Sequence, residues 1–150
     1  MENTDRIEKR IFLRAPRARV WRAISDAHEF GAWFRVALEG NFAPGSTLRG
    51  RILHPEYAHL TLEMKIEELE PERYFSYRWR PNAVDPAHDY SGEPMTLVEF
   101  ELSDAEGGTS LTIRESGFDA LPAARRAQAF RANGDGWAQQ LENIARYVSQ

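Results

Sequence analysis

The chain contains no cysteine among its 150 residues. Disulfides and thiolate chemistry are excluded, and a reducing cytoplasm is the expected setting. It has no apolar run near the roughly 18 residues a bilayer-spanning helix needs, so no membrane insertion is expected. The opening stretch, MENTDRIEKR, is charged and lacks the apolar centre of a secretion signal. No long basic block occurs. The arginines from Arg14 to Arg22 fall on a helix pattern and read as a solvated face, so nucleic acid is not an expected partner. A glycine-rich phosphate loop, a Gly-x-Ser-x-Gly elbow and a dinucleotide fingerprint are all missing. What is present is an ordinary globular composition, 42% hydrophobic and 28% charged with a net charge of −4. One domain over residues 1–150 is the expectation.

The stretch from Leu121 to Val148 organises the rest. Phe130, Trp137, Leu141, Ile144 and Val148 fall on one stripe of a 3.6-residue helix. Such a helix would run about 40 Å. With a single apolar stripe it needs a partner surface to be stable. Gly134 and Gly136 interrupt it, each costing about 1 kcal/mol relative to alanine. They read either as room for a ligand or a close sheet, or as a break between two helices.

Upstream the period is mostly two. Ile7 to Leu13 is a first strand, ended at Pro16. Val20, Trp21 and Ile24 mark a short helix. Asp26 is a plausible N-cap for a second, which holds Phe30, Trp33 and Phe34. Strands follow through Val36, Leu38 and Phe42, then Leu48 to Ile52, then Leu60 to Glu67, then Phe75 to Trp79. The 43–46 segment has the proline and glycine of a type II turn. Residues 81–94 form the one long irregular stretch. Thr96 to Leu102 and Leu111 to Ile113 are the last strands, joined at Gly107-Gly108. The fold class is α+β: a curved antiparallel sheet of about seven strands wrapped around a long C-terminal helix, with two short helices after strand one.

Four segments carry a resemblance: APRARVWRAISD from Ala15 to Asp26, the Trp33-Phe34 pair, GTSLTIRESGF from Gly108 to Phe118, and GWAQQLENIARYV from Gly136 to Val148. In order and spacing they resemble the activator of heat-shock-protein-90 ATPase homologue-like family. That family lies within the START-related, birch-pollen-allergen-like helix-grip superfamily (SRPBCC). The resemblance covers nearly the whole chain. It implies a helix-grip fold with a deep cavity between sheet and helix, and binding of lipids, polyketides or other apolar molecules; a few superfamily members are cyclases or hydratases. Chaperone regulation is not carried over, because the eukaryotic activator resembles a two-domain protein whose other domain supplies much of that contact.

Inward-facing aromatics suit such a pocket. The expected ligand-binding set is Trp33, Phe34, Tyr77, Trp79, Glu115, Phe118, Phe130, Trp137 and Leu141, with His54, Tyr57 and His59 at the cavity rim. Tyr77 is the best polar anchor among the rings. Glu115 is in phase with Leu111 and Ile113, so it should point inward, where a carboxylate needs a partner or a raised pKa. It reads as an acid, base or ligand anchor, or else as half of a salt bridge to Arg51 or Arg78, or as a frayed strand end. His54 and His59 lie an odd number of residues apart, so without a bend at Pro55 they make no metal pair. No metal and no cofactor are expected.

The expected function is binding of a small apolar or amphipathic molecule, with 81–94 as a candidate lid and a homodimer as one permitted state. The alternatives are a cyclase- or hydratase-type enzyme using the same cavity, whose catalytic residues are unknown, and a chaperone-interaction module with a filled core.

Overall fold

The computed structural model describes residues 4–149. Its elements are β1 (Arg6–Leu13), α1 (Arg17–Ser25), α2 (Ala27–Phe34), β2 (Val36–Leu38), β3 (Thr47–Ile52), β4 (Thr61–Glu70), β5 (Tyr74–Trp79), β6 (Thr96–Ala105), β7 (Gly108–Ser116) and α3 (Ala123–Val148). The sheet order is β1-β7-β6-β5-β4-β3-β2, with every neighbouring pair antiparallel. Strands β2 to β7 thus form a meander, and β1 closes onto β7. This is the α+β helix-grip arrangement that the alternation and the terminal helix pattern predict.

Local chemistry sets the boundaries. Pro16 lies just before α1, where its fixed φ suits helix entry. The Asp26 side chain accepts from the Glu29 backbone N–H at 2.9 Å and caps α2. At the turn between β2 and β3, Gly45 takes a φ of 84°, and the Ser46 N–H bonds the Ala43 carbonyl at 2.9 Å.

One local expectation is corrected, and two features are added to the reading. Strand β2 stops at Leu38, and Phe42 lies in the loop beyond Gly40, whose φ of 99° turns the chain away. The Phe42 ring stacks on Phe75 at 5.0 Å instead of pairing in the sheet. In β4 a bulge between Ile66 and Glu68 resets the alternation, so that Leu69 faces Phe75. Helix α3 runs unbroken through Gly134 and Gly136.

One row across the inner face of the sheet positions the candidate site. The register places Ile7 beside Glu115, Glu115 beside Val98, Val98 beside Tyr77, and Tyr77 beside Ile66. Helix α3 covers this face with Ala129, Trp137, Leu141, Ile144 and Val148, all buried, and packs against β1, α1 and α2. Ala129 takes the place expected for Phe130. Phe130 is only partly buried and meets Phe118 edge-on at 5.3 Å.

The deep enclosed cavity implied by the resemblance is not where the open space lies. Between sheet and helix, Phe30, Trp33, Phe75, Tyr77, Phe100 and Trp137 are buried and touch ring to ring. Open volume lies instead in clefts along the edge of α3.

Candidate functional site

The site is built outward from Glu115, which is 0% exposed. Its Oε1 accepts from Trp137 Nε1 at 2.8 Å and Asn133 Nδ2 at 2.9 Å. Its Oε2 accepts from Trp79 Nε1 at 2.8 Å, Thr96 Oγ1 at 2.5 Å and Asn133 Nδ2 at 3.1 Å. Burial pushes the carboxyl pKa above its ordinary value, while these four donors work against that push. A carboxylate offers about four lone-pair sites, so the group is saturated by its neighbours. Chemically it is an acceptor hub that fixes two indoles, an amide and a hydroxyl. To act as a general base it would first have to give up a partner.

Arg51 and Arg78, possible partners whose strand phase is outward, do not reach Glu115. Arg78 lies on the outer face and donates to Glu67 at 2.9 Å, and Arg51 is exposed. Tyr77 is fully buried, and its hydroxyl has no hydrogen-bond partner. Burial, with the Glu115 charge in the same row, pushes the phenol well above its usual pKa, so it stays protonated.

Outside this hub stand the rings. Trp79 and Trp137 stack with centroids 5.6 Å apart and planes 24° apart. Phe34, at the end of α2, meets Trp79 at 5.8 Å and Trp137 at 6.4 Å. Aromatic contacts of this kind add to the burial of ring area. The indole N–H edges point inward to Glu115, so ring carbon lines the outside.

Three adjoining hollows meet at Phe34. A small one of about 160 Å³ lies over Trp79, Trp137, Asn133 and Gly136. A second, of about 400 Å³, runs from Trp79 under the 81–94 loop past Leu62, Glu63 and Tyr90. The widest, about 800 Å³, opens between α2 and the C-terminal half of α3 and includes Trp33, Ile52, His54 and Tyr57. A methyl group added at Gly136 would meet nothing within 4 Å, so this glycine leaves open space in the cleft wall.

The structure thus brings Phe34, Trp79 and Trp137 together at the cleft and sets Trp33 beside them. Glu115 and Tyr77 lie one layer behind. Leu141 belongs to the core, and Phe118 and Phe130 pack together away from the three hollows. His54 and Tyr57 line the mouth; the exposed His59 does not.

Residues that sequence reasoning passed over include Asn133, Thr96 and Arg125. Asn133 sits between Phe130 and Trp137 on the apolar stripe, and a polar residue there was a readable signal. Thr96 shares the inward phase of Val98. Arg125 pins the 81–94 loop: it donates to Glu93 at 2.6 Å and to the Pro81 carbonyl at 2.9 Å, and lies 4.8 Å over the Tyr90 ring. His88 bonds the other Glu93 oxygen at 2.7 Å. Replacing Arg125 with alanine should loosen this loop alone. Limited proteolysis would then show cleavage within 81–94 at least about tenfold faster than in wild type, with the sheet intact. An unchanged cleavage rate would mean the latch is not what orders the loop.

Among the described residues, no three His, Asp or Glu side chains gather to hold a metal ion. No helix there is long and apolar enough to cross a membrane.

Solved structures share this fold. A protein from Mesorhizobium loti superposes with a TM-score of 0.75 at 22% identity, over 96% of each chain. The Aha1 dimer from Colwellia psychrerythraea gives 0.72 at 17% identity, over 95% of each. DynU16, from the dynemicin biosynthetic locus, gives 0.73 at 21%, over 97% of this chain and 48% of its own. These identities show the fold. No curated protein matches the chain. The model of the Activator of Hsp90 ATPase homolog 1-like protein family matches residues 14–149, nearly the full length, and on that match the chain belongs to this family.

Proposed function

We propose that the protein binds a small apolar or amphipathic molecule in the cleft over Phe34, Trp79 and Trp137. The observation that supports it most is the orientation of the two indoles. Their polar edges are held inward by Glu115, and the little of the rings that reaches the surface, 8% of Trp79 and 2% of Trp137, borders the hollows as ring carbon. A partly exposed Phe34 borders all three hollows. Ligand sites combine such apolar walls with a few polar groups. Gly136 adds support, because a mid-helix glycine costs about 1 kcal/mol and here leaves room in the wall. The 81–94 loop, held by Arg125, roofs one end and is the candidate lid. The setting carried with this reading is cytoplasmic.

Gly136→Leu tests it. The substitution fills the small hollow, improves helix propensity and should raise stability by about 0.5–1 kcal/mol. Native mass spectrometry of wild type as purified should show a bound apolar mass that denaturation releases, and Gly136→Leu should lack it. Loss of binding with a gain in stability cannot come from misfolding. No bound mass, and no thermal shift of wild type across apolar and aromatic compounds, would overturn the proposal.

That negative outcome would favour a second reading, a chaperone-contact module acting as a two-copy assembly. Its support is the filled sheet–helix interface, the family's description and the dimer solved for the Colwellia protein.

A further inference from the structure

Charge is unevenly spread along the cleft. The end between α2 and α3 is lined by Arg35, Arg146 and His54 and by no carboxylate. At the opposite end, under the 81–94 loop, Arg80 lies 3.4 Å from Glu63, which offsets its charge. The Arg35 guanidinium has no partner among the described residues, and that of Arg146 bonds only the neutral Asn143 Oδ1, at 2.5 Å. Glu29 reaches the lining through the Tyr147 hydroxyl at 3.0 Å, but Arg19 and Arg22 already hold it at 2.8 and 2.9 Å. Among the described residues, two guanidinium charges therefore remain unneutralised in one concave pocket, in a chain whose net charge is −4.

The Arg146 side chain is held by its neighbours, and Arg35 is fixed through its backbone, whose N–H bonds the Gly31 carbonyl at 2.8 Å. Asn143 also takes Gln139 Nε2 at 3.2 Å and donates to Gln140 Oε1 at 2.9 Å. Gln140 Nε2 in turn reaches the Phe34 carbonyl at 3.5 Å. A line of side-chain amides thus runs along α3 from the aromatic wall to Arg146. Arg35 occupies the left-handed position that ends α2, with φ 70° and ψ 58°, where glycine is the usual residue. An arginine tolerated in that strained place, with a side chain bonded to nothing among the described residues, is spare binding capacity.

We propose that the cleft takes an amphipathic organic acid, its carboxylate between Arg35 and Arg146 and its apolar body lying across Phe34 toward Trp79. This rests on the ligand-binding reading above. A guanidinium presents a planar fork that matches a carboxylate, and a concave basic lining concentrates anions.

Calorimetric titration with naphthaleneacetate and with its neutral amide, equal in size and shape, tests the assignment. The acid should bind at least about tenfold tighter than the amide at low salt, and added salt should weaken the acid alone. In the double variant Arg35→Gln/Arg146→Gln the acid should fall to the affinity of the amide, while the amide binds as in wild type. That retained binding also shows the variant is folded. If acid and amide bind wild type equally, the anionic end is wrong and the apolar cleft stands. If neither binds and neither shifts the melting temperature, both readings fall.

Discussion

Trp137→Ala should cost about 3–5 kcal/mol in chemical denaturation. Three losses combine. The indole is 2% exposed and fills the interface between α3 and the sheet, so its removal leaves a hole. Its stacking on Trp79 and its edge contacts with Phe34 and Phe100 go with it. Glu115 Oε1 loses its closest donor while staying buried. A loss below about 1 kcal/mol would mean that α3 docks by some other means.

Glu115→Ala should be as severe, about 3–5 kcal/mol, for the complementary reason. It strips the acceptor from two indoles, one amide and one hydroxyl, all facing a buried pocket. Glu115→Gln is the more informative variant. Each carboxylate oxygen accepts from an indole N–H, so in either orientation the new amide NH₂ faces a donor. One orphaned donor pair should cost about 1–3 kcal/mol.

The pH dependence follows from the sign of the shift. Burial raises the Glu115 pKa above 4.5, so the folded chain holds this proton more tightly than the unfolded chain. Its contribution to stability is full below the unfolded value and is lost as pH climbs through the folded one. Glutamine has no such slope. The stability gap between wild type and Glu115→Gln should therefore widen as pH falls from neutral toward 4.5. A gap that narrows instead would show that the four donors outweigh burial and keep the group ionised.

How much of this was legible depended on the kind of information each residue carried. Period-two alternation placed Tyr77, Val98 and Glu115 on the inner face, and the register confirms that phase. Partners were harder to read. A buried carboxylate suggests an arginine, because charge is visible in sequence. The actual partners are neutral donors on β5, β6 and α3, brought together only by strand register and helix rotation. Of these, Trp79 and Trp137 were legible as inward rings but not as donors, and Asn133 left a trace as a polar residue on an apolar stripe. Alternation also says nothing of volume. It identified inward aromatics, but not that Phe30, Phe75, Tyr77 and Phe100 would fill the space between sheet and helix. The open space moved to the helix edge, where Arg35 and Arg146 carry no periodic signal at all. The β4 bulge was hidden for a related reason, since Glu67 continues a strict alternation that the backbone abandons.

The most direct test of the central claim watches the indole N–H resonances of the four tryptophans while neutral naphthaleneacetamide is added. Trp79 and Trp137 line the cleft and share the Glu115 clamp, so their signals should move together and saturate at one concentration. Trp21, on α1 and outside the three hollows, should stay still. Saturable movement of Trp21 with Trp79 and Trp137 unmoved would place the ligand elsewhere and contradict the account.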